Sequence, residues 1–397
     1  MTPVIAEIKQ NLLETISPFW KKLKDEKWGG FYGLVNYDLE LDKKAPKGVI
    51  LNSRILWYFA NQYLLLANEE DLTYARHAYT FLKDYCLDKE YGGVYWMMSY
   101  DGKVIEDMKH TYNQAFAIYA LSSYYDATKE QEALDIAYTL FYKIEKVCRE
   151  KYGYGEAFTK EWKATYNNKL SDNRYLCSEG IIAEKTMNTL LHILEAYTEF
   201  YRVTKDKKVK ERLEDLLVIF KNYVYNENTE SLEVFFDNHM QSITDLHSYG
   251  HDIEAAWLLD RAAEIVEEEA LIQMTKAYTI KLAYKIKEVA FEEGALNNER
   301  YKKQIDKTKV WWIQSEGIVG FINAYEKTGD EAFLELAAAL WQYIQTYLID
   351  KRSNSEWYWE VNEKGEPISK KAIVEPWKCP YHNGRMCFEV MRRNKDV

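Results

Sequence analysis

Cysteine is scarce and scattered in this chain. Cys86, Cys148, Cys177, Cys379 and Cys387 are odd in number and form no CxxC pair, which argues against a disulfide framework and against a thiolate zinc site. A reducing cytoplasm is the compartment this pattern leads us to expect. Long apolar runs are also missing, so no membrane span is expected. The opening MTPVIAEIKQNLLETISPFWKKL carries Glu7 and Lys9 early, in place of the basic-then-apolar order of a secretion signal. Basic charge is not in excess: 52 Lys and Arg against 63 Asp and Glu leave a net −11. With the basic residues dispersed, nucleic acid is not an expected partner and a neutral ligand is. Only 6 prolines and 17 glycines occur, and no Pro/Gly/Ser linker or low-complexity tract divides the chain, so residues 1–397 read as one domain.

Aromatic residues, in contrast, are abundant: 33 Tyr, 12 Trp and 15 Phe exceed what a helical core requires and suit stacking on sugar rings, although they also serve as core fillers. Self-similarity is the next signal. LSSYYDATKEQEALDIAYTLFYKI (121–144), LEAYTEFYRVTKDKKVKERLEDLLVIF (194–220) and GFINAYEKTGDEAFLELAAALWQYI (320–344) share one plan. In each, an apolar helix ends in a T-K or T-G-D turn and a second, amphipathic helix follows. Short aromatic runs recur between such hairpins, among them GGFYGLV (29–35), GGVYWMM (92–98) and SEWYWEV (355–361). Apolar helices with polar starts follow near Arg54, His110, Lys185, His251, Trp311 and Tyr381. Six such units predict an all-α (α/α)6 barrel, a toroid of six helical hairpins with short β-hairpin or strand segments at one mouth. The apolar last segment, CPYHNGRMCFEVM, favours a closed ring over an open solenoid with polar caps.

The polar residues gather at the inner-helix starts that should line that mouth: Asn52, Arg54, His110, Tyr112, Asn188, His192, His251, Glu254, Trp311, Trp312, Glu316, Trp377, His382, Asn383 and Arg385. Four of the seven histidines, His110, His192, His251 and His382, fall there; a lone histidine on such a helix is usually a hydrogen-bonded core residue, and four converging on one cavity are harder to explain that way. No HExxH or HxH occurs, and Gly250 interrupts the pair His247 and His251, so no metal is expected. His251 and Glu254 stand at i, i+3, a spacing that lets the carboxylate orient the ring, whereas Asp252 is read as complementing the helix dipole. Arg54, in an apolar setting, should face a carboxylate or a ligand oxygen. One member of the Trp311–Trp312 doublet is expected to be ordinary packing, since adjacent helical residues point apart.

NSRILW (52–57), KTMN followed by LH (185–192), SYGHDIEAAWL (248–258), WW with a following Glu (311–316) and WKCPYHNGRM (377–386) together resemble the cellobiose 2-epimerase branch of the N-acylglucosamine 2-epimerase superfamily, from about residue 10 to 392. The resemblance implies an (α/α)6 barrel that interconverts glucose and mannose configuration at the reducing end of β-1,4-linked disaccharides without a cofactor. It implies His251 and His382 as the two acid/base residues, Glu254 as the orienter of His251, and Arg54 as the group holding oxygens of the reacting carbons. Tyr112, Asn188 and His192 would line the reducing-sugar subsite, with His192 a candidate for ring opening. Trp377 and one of Trp311 or Trp312 would stack on the sugars. The chemistry agrees: inverting C2 needs ring opening, loss of the C2 proton through an enediolate and its return from the opposite face, a task for two bases with pKa values near neutrality. Competing readings are an aldose–ketose isomerase or N-acylglucosamine 2-epimerase using the same intermediate, a glycoside hydrolase using two of Asp252, Glu254 and Glu316, and a non-catalytic helical scaffold. A monomer or weak homodimer is expected.

Overall fold

Three of the inner helices end in the same threonine turn, and that turn sets the hairpin. Thr128, Thr204 and Thr328 each donate Oγ1 to the carbonyl four residues back, at 2.7–2.8 Å, and accept the N–H two residues on, at 3.1–3.2 Å. The next residue is left-handed: Lys129 (φ 58°), Lys205 (φ 51°) and Gly329 (φ 74°). Ala67 (φ 53°) and Glu267 (φ 63°) occupy the same place after the other two hairpin-forming inner helices. The left-handed residue stops the helix and turns the chain into the outer helix within a few residues.

In the computed structural model, which describes residues 2–169 and 174–394, six inner helices alternate with six outer ones. The inner set is Val49–Leu66, Thr111–Thr128, Met187–Thr204, Tyr249–Val266, Trp311–Thr328 and His382–Arg393. The outer set begins at Thr2, Glu69, Gln131, Lys207, Glu269 and Ala332, and all but the fifth run through a π-helical turn, such as Leu82–Cys86 or Ile144–Cys148. This is the expected (α/α)6 barrel. Consecutive inner helices pack side by side, and the last packs on the first and on the fifth. The ring is closed by hydrogen bonds from the first outer helix: Trp20 Nε1 donates to Glu356 Oε1 at 3.0 Å, and Asn11 Oδ1 accepts from Trp357 Nε1 at 3.1 Å. Among the described residues no helix is long and apolar enough to cross a membrane.

Short antiparallel strands precede the inner helices, as the aromatic runs suggested. Lys47–Gly48 pairs with Met97–Met98, Lys109–His110 with Ala157–Phe158, and Leu246–Ser248 with Glu299–Tyr301. A buried lysine in this position latches the strand to the preceding loop in two units. Lys47 Nζ lies 2.6 Å from Asp25 Oδ2, and Lys109 Nζ lies 2.8 Å from Asp88 Oδ2. Each aspartate also accepts two backbone N–H groups of its own turn. The fourth residue of an inner helix then holds the loop strand by its main chain: Asn52 accepts from Phe31 N, Gln114 from Val94 N and Gln314 from Leu296 N. Asp252 is the fourth-unit counterpart, accepting from Leu232 N at 3.2 Å and facing His247 Nε2 at 2.7 Å. It stands in the first turn of its helix, where the sequence reading has it complement the helix dipole, and it also satisfies a buried strand amide.

Candidate active site

The sixth residue of an inner helix faces the barrel axis, and in four helices it is ionisable: Arg54, His192, Glu254 and Glu316. One turn deeper, the ninth residues Trp57, Tyr119, Glu195 and Trp257 form a floor. Above this ring lies a cavity of about 300 Å³ lined by Arg54, Tyr112, Lys169, Asn188, His192, His251, Glu254, Trp311, Trp312, Trp359, Trp377 and His382. A larger cleft of about 440 Å³ lies outside the ring, between the first outer helix and residues 349–355, and its charged lining contains no histidine.

Of the fifteen residues expected at the mouth, ten line the cavity, and Asn52, His110, Glu316, Asn383 and Arg385 do not. His110 is buried behind the wall: its Nε2 meets Asn167 Oδ1 at 2.9 Å, and its Nδ1 accepts the Tyr112 N–H as a helix cap. It is a structural histidine, kept neutral by burial, which lowers its pKa to about 4. Glu316 lies under the cavity, where Oε1 meets His382 Nδ1 at 2.8 Å and Oε2 accepts from Trp257 Nε1 at 3.0 Å. Glu316 is thus a partner of a base and has no face toward a ligand.

The expected pairing of His251 with Glu254 is also replaced. His251 Nδ1 meets Ser248 Oγ at 2.7 Å, three residues toward the N-terminus, while Glu254 Oε1 is drawn across the axis to Arg385 Nη2 and lies 3.9 Å from His382 Nδ1. The i, i+3 geometry is realised instead by His192 Nδ1 and Glu195 Oε2, at 2.8 Å. In each of the three rings an anchored Nδ1 leaves Nε2 as the second nitrogen. Both members of the tryptophan doublet line the cavity. Trp312 packs against two of the histidines, with ring centroids 4.9 Å from His251 and 5.4 Å from His382. It reaches them because Gly250 has no side chain; a Cβ there would sit 2.5 Å from the Trp312 ring.

Electrostatics suit base chemistry. Burial lowers His251 to about 4, with Glu254 opposing and the other two cavity histidines reinforcing. Burial likewise drives His382 well below the usual histidine range, Glu254 opposing while Arg385 and Arg54 add to the shift. In both rings burial disfavours the imidazolium. Arg54 is 3% exposed and touches no carboxylate: Nη2 donates to Tyr112 Oη at 2.8 Å and Nη1 to the Trp377 carbonyl at 3.3 Å. Its guanidinium stacks over Phe116 and Tyr381, 4.3 and 4.7 Å from the ring centroids. Of the two partners foreseen for it, a carboxylate is absent and a ligand oxygen is left. Arg54 Nε, Asn188 Oδ1, Glu254 Oε2 and Trp311 Nε1 are buried without hydrogen-bond partners, two donors and two acceptors around one cavity, which is the complement that hydroxyl groups supply.

Glu195, Arg385, Tyr381, Ser248, Trp359 and Lys169 received no role from sequence. Glu195 was within reach of it, since an acid three residues after His192 in HILEAYTEF repeats the spacing noticed at His251.

Residues 29–383 match the N-acylglucosamine 2-epimerase (GlcNAc 2-epimerase) family. A cellobiose 2-epimerase of Ruminococcus albus is 53% identical, over 99% of this chain and 100% of its own. The crystal structure of a sugar epimerase from a ruminal bacterium superposes with a TM-score of 0.96 at 53% identity, covering 99% of this chain and 100% of that one. The cellobiose 2-epimerase of Bacillus thermoamylovorans gives 0.94 at 46%, with the same coverage. With the six-unit ring, the paired imidazoles and the unpaired guanidinium in place, these matches show that the chain belongs to the N-acylglucosamine 2-epimerase family of carbohydrate isomerases.

Proposed function

We propose that this protein inverts C2 of the reducing-end glucose of β-1,4-linked disaccharides, cellobiose to glucosyl-mannose and lactose to epilactose. The observation that carries the reading is the pair His251 and His382, two imidazoles held against one tryptophan in a cavity whose arginine lacks an anion. The reducing sugar lies between the two rings and Arg54, and the second sugar extends over the tryptophans toward the mouth. His192, backed by Glu195, opens the ring by moving a proton between O1 and O5. One imidazole takes the C2 proton and becomes an imidazolium, and the enediolate oxygens rest against Arg54 and Tyr112. The opposite ring, which enters the reaction as the imidazolium, gives its proton to the other face of C2, and exchange with water returns the pair to one imidazole and one imidazolium in their starting places.

The two rings are not equivalent. Glu316 and Glu254 stand beside His382, and with the negative charge of the enediolate they favour its imidazolium; Ser248 alone backs His251. His251 therefore starts the reaction as the base in the glucose-to-mannose direction. A hydrolytic reading is weakened by the acids themselves: Glu254 and Glu316 share one guanidinium, whereas a hydrolase needs its carboxyls on opposite sides of the scissile bond. We further propose cofactor-free turnover by a cytoplasmic monomer or weak homodimer.

Proton NMR of the purified protein with cellobiose in D2O tests this, with glucose, mannose and N-acetylglucosamine in parallel. The mannose-ended disaccharide should appear with deuterium at C2. Fructose from mannose with no change in cellobiose would replace the reading with an isomerase, and silence on every sugar would end it.

A further inference from the structure

We infer that Arg385, which does not line the cavity, is the positioning residue of the acid/base set: its one guanidinium spans the carboxylates that stand behind and beside the histidines and so fixes both their geometry and their charge. This rests on the proposed proton-transfer reading. Arg385 is 1% exposed, on the last inner helix, and it reaches three others. Nη1 donates to Glu195 Oε1 on Met187–Thr204, and Nη2 to Glu254 Oε1 on Tyr249–Val266 and to Glu316 Oε1 on Trp311–Thr328, the last at 2.6 Å. The fork lies over the rings of Trp257 and Tyr381, 4.9 and 4.4 Å from their centroids. Glu195 carries His192 on its other oxygen, and Glu316 carries His382. A displacement of Arg385 therefore moves two histidine anchors together.

The charges make the second half of the argument. Glu195, Glu254 and Glu316 are three buried carboxylates; Arg385 binds all three, Arg54 is the second guanidinium at the cavity, and Lys169 in the wall is paired with Glu106. Tyr112, Tyr119 and Tyr381 are the hydroxyls in range, and burial keeps all three protonated. With all three acids ionised, one negative charge is left over, which matches one imidazolium among the three rings. That is the charge state a two-base proton transfer passes through. Without Arg385 two negative charges would be left, a second ring would take a proton, and only one of the three would stay neutral.

The test follows the imidazole signals of isotope-labelled histidine through a pH titration without sugar, and turnover of cellobiose in parallel. In Arg385→Met the His382 midpoint should rise by about one pH unit or more, and kcat should fall about 100-fold with KM changed less than about 3-fold. Arg385→Lys keeps the charge and loses the fork, so the midpoint should stay near its wild-type value while kcat falls about 10-fold. An unmoved midpoint in Arg385→Met overturns the inference, as does wild-type kcat in Arg385→Lys, which also decides the matter if the methionine variant does not fold. Midpoints that shift as described in a protein that turns over no sugar would support the inference and end the proposed function.

Discussion

His251 and His382 are chemically alike and differ in what stands behind them, and the difference is measurable. Replacing either by alanine should cut turnover at least about 1,000-fold, since each removes one of two proton-transfer partners; circular dichroism should show the fold retained. The pH dependence has a definite sign. Because the folded pKa of His251 is depressed to about 4, it stays a base as the pH falls through the ordinary histidine range, so kcat/KM should hold nearly level from pH 7 to roughly 5 and fall only toward about 4. A fall centred near 6.5 would contradict this. At the same scale the sequence was informative about which residue types meet and much less about which atoms touch. The i, i+3 rule is correct chemistry, but Ser248 and Arg385 competed for the two ends of the His251–Glu254 pair. A partner that arrives from another helix leaves no mark in local spacing.

Hairpins were legible because their punctuation repeats. The T-K and T-G-D turns mark the left-handed caps, and the lysines at 47 and 109 mark strand latches. The caps carry a cost that can be removed: Ala67 sits at φ 53°, so Ala67→Gly should stabilise the protein by about 1 kcal/mol in urea unfolding. The latches predict the opposite effect. Asp88→Ala strands the buried Lys109 ammonium and should cost about 3–5 kcal/mol, much of it recovered when Lys109→Met is added. Helix starts were read with offsets of up to five residues, as at Arg54 against Val49. That offset hid the shared sixth position of Arg54, His192, Glu254 and Glu316, from which their equal depth follows directly.

At the scale of the whole molecule, closure sets the behaviour. We propose that the chain is a single domain in which each inner helix is braced on both sides, and that calorimetry will give one cooperative transition where an open array would unzip in stages. Two resolved transitions would show that the ring divides. The sequence foretold closure from the apolar last segment, but not that residues 356–357 and the first helix form the seam. The position of His382 and Arg385 on the last helix has one more implication. Translation delivers His382 after every other residue of the cavity wall, so under the proposed mechanism a nascent chain that stops before it has no second base, and the chemistry waits until synthesis has reached the final turn of the ring.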